Sequence, residues 1–258
     1  MCVTLFALFS LTECPHACSY RGSTGFGNRF YNLAIGNVLG MHKDVEDARK
    51  WAIQSGLADP DRIAIIGASW GGYLALGGAT RVAEDLAADA AAGASARKNS
   101  RYAAVVAIVP LVAVGAVNTS AAFRSDPLVT QYWNQLYGPR VSKDKDAAAA
   151  LSPLYRLDRL DADVKLLLVH GEKDPRVPRE HGDEVATAAA RRGIAGAHLT
   201  YAWEGHSIRR EPNVLHMWHT VERLLCSALK LPPPPELDPA QTERNTCTTH
   251  WDSTGLGL

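Results

Sequence analysis

Between residues 40 and 230 the spacing of apolar positions switches repeatedly between helical and strand periods. Asp44–Gln54 places Val45, Ala48, Trp51 and Ala52 on one helical face and charge on the other, which predicts an amphipathic helix. Gly56 stops it, and Asp59-Pro-Asp-Arg62 turns the chain. Arg62–Gly67 then carries four apolar residues, three of them Ile, between turn signals, the pattern of a strand buried on both faces. Gly71–Arg81 reads as a helix of small residues able to lie close on a sheet. Further buried strands are predicted over Tyr102–Val109, ended by Pro110, over Val164–His170 and over His198–Trp203. A helix over Glu180–Arg192 separates the last two. A second amphipathic helix over Pro212–Leu229 closes the series with Val214, Met217, Trp218, Val221, Leu224 and Leu225. This alternation implies an α/β fold, a mainly parallel sheet with helices on both faces.

Two stretches fall outside the rhythm. Ala83–Ser100 is rich in Ala and Asp and fits either a helix or a surface insertion. Pro232-Pro-Pro-Pro235 ends regular structure, and residues 232–258 are expected to form a disordered polar tail. Near the start, Val3–Leu11 is apolar, but no Lys or Arg precedes it, so it lacks the charged region of a secretory signal. It is also too short to span a bilayer.

Composition narrows the function classes. Lys plus Arg equals Asp plus Glu at 27 each, so charge gives no reason to expect a nucleic-acid or membrane partner. Five cysteines are too scattered for a disulfide framework, and Cys14-x-x-x-Cys18 lacks the second ligand pair of a structural zinc site. Free thiols in a reducing, cytoplasmic setting are the expectation.

Gly67-Ala-Ser-Trp-Gly71 fits G-x-S-x-G and lies between a predicted strand and a predicted helix, the context this motif requires. Glycines flank a strained turn that leaves no room for bulky neighbours. The helix that starts there aims N–H groups and a positive dipole end at the serine, and the Trp70 N–H is the natural first oxyanion donor. A serine hydroxyl needs a base and an orienting acid, which in α/β-hydrolases follow in the order Asp, His on loops after later strands. Asp174, just past the third strand, and His206, just past the fourth, stand in those places. Ser69 would attack, His206 would move the proton, and Asp174 would orient the imidazole.

Tyr20-Arg-Gly-Ser-Thr-Gly-Phe-Gly27, Gly67-Ala-Ser-Trp-Gly-Gly-Tyr73, His170-Gly-Glu-Lys-Asp-Pro-Arg-Val-Pro178 and Glu204-Gly-His206 together resemble the catalytic domain of the prolyl oligopeptidase family, in its acylaminoacyl and dipeptidyl peptidase branch. The resemblance runs from about Tyr20 to Leu231. It divides the chain into an atypical segment 1–19, an α/β-hydrolase catalytic domain 20–231 and the tail 232–258. It implies Ser69, Asp174 and His206 as the triad and Trp70 as a wall of the S1 pocket. It also implies hydrolysis of short peptides or acylated amino acids with no metal or organic cofactor. Members usually carry a β-propeller and an earlier strand that supplies a second oxyanion donor; neither has a counterpart here. On that basis the early strands are expected to be missing and activity to be weakened, since one such donor is worth about 100- to 1,000-fold in turnover. The strand before Ser69 is expected to present an open edge, which Val3–Leu11 is not expected to fill and where a partner could bind.

Other assignments stay open at this stage. Ser69 could be a turn residue, Asp174 could cap its turn, and Asp161 and Asp163 are rival acids. His170 ends a strand and reads as a buried structural residue. His216 and His219 share a helix face but lack an acidic third ligand. Arg21 could hold a substrate carboxylate or a structural salt bridge. Tyr132, Trp133 and Tyr137 read as core. An esterase-like hydrolase, or an inactive remnant that acts by binding, remains the alternative to a peptidase.

Overall fold

The computed structural model describes residues 6–9, 16–82, 102–114 and 127–255. The strands are β1 (Phe6–Phe9), β2 (His16–Ala17), β3 (Ala64–Ala68), β4 (Ala104–Ile108), β5 (Lys165–Gly171), β6 (Ala195–Tyr201) and β7 (Cys247–Asp252). They form one sheet in the order β2-β1-β3-β4-β5-β6-β7. β3 to β6 run parallel, and β1 and β7 are antiparallel to their neighbours. The helices are α1 (Gly27–Asn32), α2 (Val38–Gln54), α3 (Trp70–Ala79), α4 (Pro127–Lys143), α5 (Lys145–Ala150), α6 (Glu180–Arg191), α7 (Glu211–Ala228) and α8 (Pro239–Thr242), with a 3₁₀ turn over Pro153–Arg159.

Side-chain alternation along the parallel strands builds two cores. On one face Ile65, Val105, Leu166 and Leu168 meet Val45 of α2, Leu74 and Leu76 of α3 and Val185 of α6. On the other, Ile66, Val106, Leu167, Val169 and Leu199 meet Met217, Val221 and Leu224 of α7. Both faces of the sheet are therefore covered, as the unbroken apolar strands require. α3 is buried around its whole circumference after Trp70, which suits a helix with no polar face. Its glycines set its distance from its neighbours: a Cβ on Gly72 would press on Pro110, and one on Gly77 would overlap the His42 ring.

Three expectations are corrected. The edge of β3 is not open, because β1 pairs with it antiparallel from Phe6 opposite Gly67 to Phe9 opposite Ala64. The apolar N-terminal run thus covers the edge that was expected to be open, and a partner site there loses its basis. Over its described residues the tail is not disordered: Cys247–Asp252 adds to β6, and the ring of Trp251 lies against Gly196, where a side chain would collide with it. The fourth parallel strand begins at Ala195 rather than His198. Ala83–Ser100 lies outside the described residues. No helix among the described residues is long and apolar enough to cross a membrane.

Several histidines are buried. His42 is 1% exposed, stands edge-on to Tyr73, and neither ring nitrogen has a hydrogen-bond partner among the described residues. Burial, then the Arg156 charge, pushes it down to about 3. His198 is lowered to about 4, chiefly by burial. Both are neutral in the folded chain while the unfolded chain protonates them near 6.5, so the unfolded state takes up more protons as pH falls. Stability is accordingly complete above pH 6.5 and is lost downward through that window, by about 1.4 kcal/mol per pH unit for each such histidine. Urea titrations between pH 7.5 and 5 should show this slope, and His42→Leu should flatten it.

Candidate active site

The strand-to-helix turn at Ser69 is tight because of Gly67. A Cβ there would overlap the carbonyl group of Gly71, so only glycine lets β3 run straight into α3. Ser69 itself takes φ 55° and ψ −116°, a conformation L residues rarely adopt. Its N–H donates to the Ile108 carbonyl at 2.8 Å, and its carbonyl accepts from the Tyr73 N–H at 3.1 Å, which fixes the turn between β4 and the first turn of α3. Trp70 is the first residue of α3, and its N–H is among those a helix leaves without an intrahelical acceptor.

The other two residues arrive on the loops after β5 and β6. Asp174 uses both carboxylate oxygens. Oδ1 accepts from the Arg176 and Val177 N–H groups at 2.8 and 3.0 Å, while Oδ2 stands 2.7 Å from His206 Nδ1. One carboxylate thus caps its own turn and also faces the His206 ring, contacts that the sequence had offered as alternatives. His206 Nε2 stands 2.7 Å from Ser69 Oγ. The Asp174 side chain is fully buried and that of His206 is 10% exposed. The two loops are pressed together: a Cβ on Gly171 would overlap the Gly205 carbonyl oxygen and reach 2.5 Å from that of Glu204.

The rival residues fall elsewhere. Asp161 pairs with Arg81 at 2.9 Å, and Asp163 is exposed. His170 is buried beside His198, and burial holds it well below its usual value. His216 Nδ1 meets the Tyr201 hydroxyl at 2.8 Å, whereas His219 Nε2 donates to the Pro235 carbonyl at 3.0 Å, so the pair does not converge. Arg21 grips both oxygens of Asp44, at 2.7 and 2.5 Å, which is the structural salt bridge.

Trp70 brings aromatic company that the sequence placed only in the core. Its ring lies 5.2 Å from Trp133, 4.7 Å from Tyr73 and 6.2 Å from Tyr137, and its Nε1–H donates to Met41 Sδ at 3.2 Å. Tyr137 is buried as expected, but Tyr132 and Trp133 are only half-buried. Their segment, α4, breaks at Gly138 (φ 77°) ahead of Pro139, and that break obscured the helical pattern that would have placed them. Between the loops after β5 and β6, Lys173 Nζ sits 3.7 Å over the exposed Trp203 ring.

A model described as the prolyl oligopeptidase family (Peptidase_S9) matches residues 16–231. The chain belongs to that family. It is 30% identical over 204 residues to dipeptidyl aminopeptidase BIII of Pseudoxanthomonas mexicana, covering 76% of this chain and 26% of that protein. It is 28% identical over 214 residues to dipeptidyl peptidase family member 6 of Caenorhabditis elegans, covering 82% and 26%. Among solved structures, a puromycin-hydrolyzing peptidase of Mycobacterium tuberculosis superimposes with a TM-score of 0.69 at 24% identity, over 84% of this chain and 29% of that one. The fold is that of the α/β-hydrolase peptidases. The chain spans about a quarter of the length of the curated relatives it matches.

The close packing of the Asp174 and His206 loops is testable through Gly171. Gly171→Ala should displace the Glu204–Gly205 backbone and cost about 1–3 kcal/mol of stability, as overpacked sites do. The urea midpoint would show it, whereas an unchanged midpoint would mean that the two loops are not in contact.

Proposed function

We propose that this chain is the catalytic unit of a serine peptidase that cleaves peptide or acyl-aminoacyl bonds in short peptides. The observation that carries this reading is the continuous chain Asp174–His206–Ser69, with both links at 2.7 Å, ending on a serine held in a strained elbow at a helix N-terminus. Membership of the prolyl oligopeptidase family and the peptidase relatives favour an amide substrate.

In this reading Ser69 Oγ attacks the scissile carbonyl carbon while His206 Nε2 takes its proton. Asp174 holds the imidazole with Nδ1–H toward Oδ2 and stabilises the imidazolium that forms. The oxygen of the tetrahedral intermediate gains negative charge beside the Trp70 N–H and the positive end of α3. The intermediate collapses as His206 passes its proton to the leaving amine, which leaves an ester on Ser69. Water then attacks that ester with His206 as base, the acid product departs, and Ser69 regains its proton. Trp70 and the half-buried Trp133 form an apolar wall next to the nucleophile for the side chain whose carbonyl is attacked.

Labelling with a fluorophosphonate probe tests the nucleophile. Wild-type chain should label and Ser69→Ala should not, while Asp174→Asn should slow turnover by about 10⁴-fold through the wrong imidazole tautomer. A folded wild-type sample that never labels would overturn the reading. Peptide anilides with free and acetylated N-termini, compared with p-nitrophenyl esters, then fix the substrate class: esters alone would make the chain an esterase.

A further inference from the structure

Glu204 lies between β6 and His206 and is 3% exposed. Its Oε2 accepts the Arg209 N–H at 3.0 Å, and its Oε1 accepts the Arg210 N–H at 2.9 Å and Asn213 Nδ2–H at 2.7 Å. All these donors are neutral amides. A buried carboxylate is costly unless hydrogen bonds saturate it, and here the two residues just ahead of α7 and the Asn213 side chain within it supply them. The backbone of Glu204 works in the other direction. Its carbonyl accepts the Lys173 N–H at 2.8 Å, one residue before Asp174. One residue therefore ties the acid loop with its main chain and the far end of the His206 loop with its side chain.

The tie extends further. Asn213 is fully buried, and its Oδ1 accepts the Thr246 N–H at 2.8 Å. Thr246 Oγ1–H in turn donates to the Ala202 carbonyl at 2.8 Å, two residues before Glu204. The segment that leads into β7 thus closes a ring of hydrogen bonds around the base of the His206 loop.

We propose that Glu204 is a positioning residue for His206, and that Asn213 and Thr246 carry this hold to the C-terminal strand. His206 sits mid-loop between Glu204 and Arg209, and fixing both ends leaves its ring little freedom to leave Asp174. The inference rests on reading His206 as the base, so its test needs one measurement independent of activity.

That measurement is the proton resonance of His206 Nδ1–H in its bond to Asp174, assigned by its loss in His206→Gln. It is paired with the rate of fluorophosphonate labelling across pH. Glu204→Gln puts an amide N–H where an acceptor is needed, and Asn213→Ala opens the tie while keeping the carboxylate charge. Both should broaden or abolish the resonance, slow labelling by about 10- to 100-fold per folded molecule, as misplacement of a reacting group does, and move the labelling midpoint to lower pH. Leu224→Ala, a buried change in α7 outside the ring of bonds, should lower the melting temperature and alter none of these. The proposal falls if folded Glu204→Gln keeps the wild-type resonance and rate, if Leu224→Ala reproduces the losses, or if the wild type shows no such resonance. If Glu204→Gln does not fold, Asn213→Ala decides by the same criteria. A resonance that depends on Glu204 in a chain that never labels would uphold the positioning and overturn the peptidase reading alone.

Discussion

Gly67 rests on the backbone of Gly71 with no space for a side chain between them, and the geometry of the site follows from that contact. It lets β3 turn into α3 within a single residue. Ser69 is then left with a positive φ, and its hydroxyl is held clear of both elements at the end of the sheet. The strain is not confined to the serine. Val109 at the end of β4 (φ 45°) and Trp203 after β6 (φ 66°) also take left-handed conformations that side chains disfavour. These three residues follow parallel strands on the edge where the site is assembled. The packed cores on both faces of the sheet supply the stability that sustains such conformations.

The parallel strands were legible because burial on both faces leaves a continuous apolar run, as in Ile63–Ile66 and Leu166–Val169. The start of β6 was not, because Ala195-Gly196-Ala197 carries no β-branched residue. Its small side chains instead make room for Trp251, which arrives from the other end of the chain. β7 was missed for a related reason: as an edge strand it is mostly exposed, and its mixture of Thr, His and Asp resembles a loop. β1 was legible as apolar, but its antiparallel place beside β3 is a matter of long-range pairing that no local pattern encodes.

The candidate site was more legible than the outer sheet. Its three residues sit in glycine-marked turns after strands, where sequence and geometry coincide. What surrounds them was less so. The aromatic neighbours of Trp70 come from a helix broken at Gly138, and the partners of Glu204 lie in two further elements. The described histidines divide by environment rather than by sequence context: His42, His170 and His198 are enclosed and held neutral, whereas His206 keeps a carboxylate on one nitrogen and a hydroxyl on the other.

The hydrogen bond between Ser69 and His206 spans 137 positions of sequence. Ser69 follows β3 and His206 follows β6, with β4 and β5 between them in the sheet, so the pair meets only when all four parallel strands are joined. Contacts of such long range are made late, after the entropy of closing the intervening chain has been met. On the proposed reading, Ser69 would be a reporter of folding as well as a centre of chemistry. Its gain of nucleophilicity during refolding would time the completion of the parallel sheet, and an intermediate with native helices but an unfinished sheet would be chemically silent.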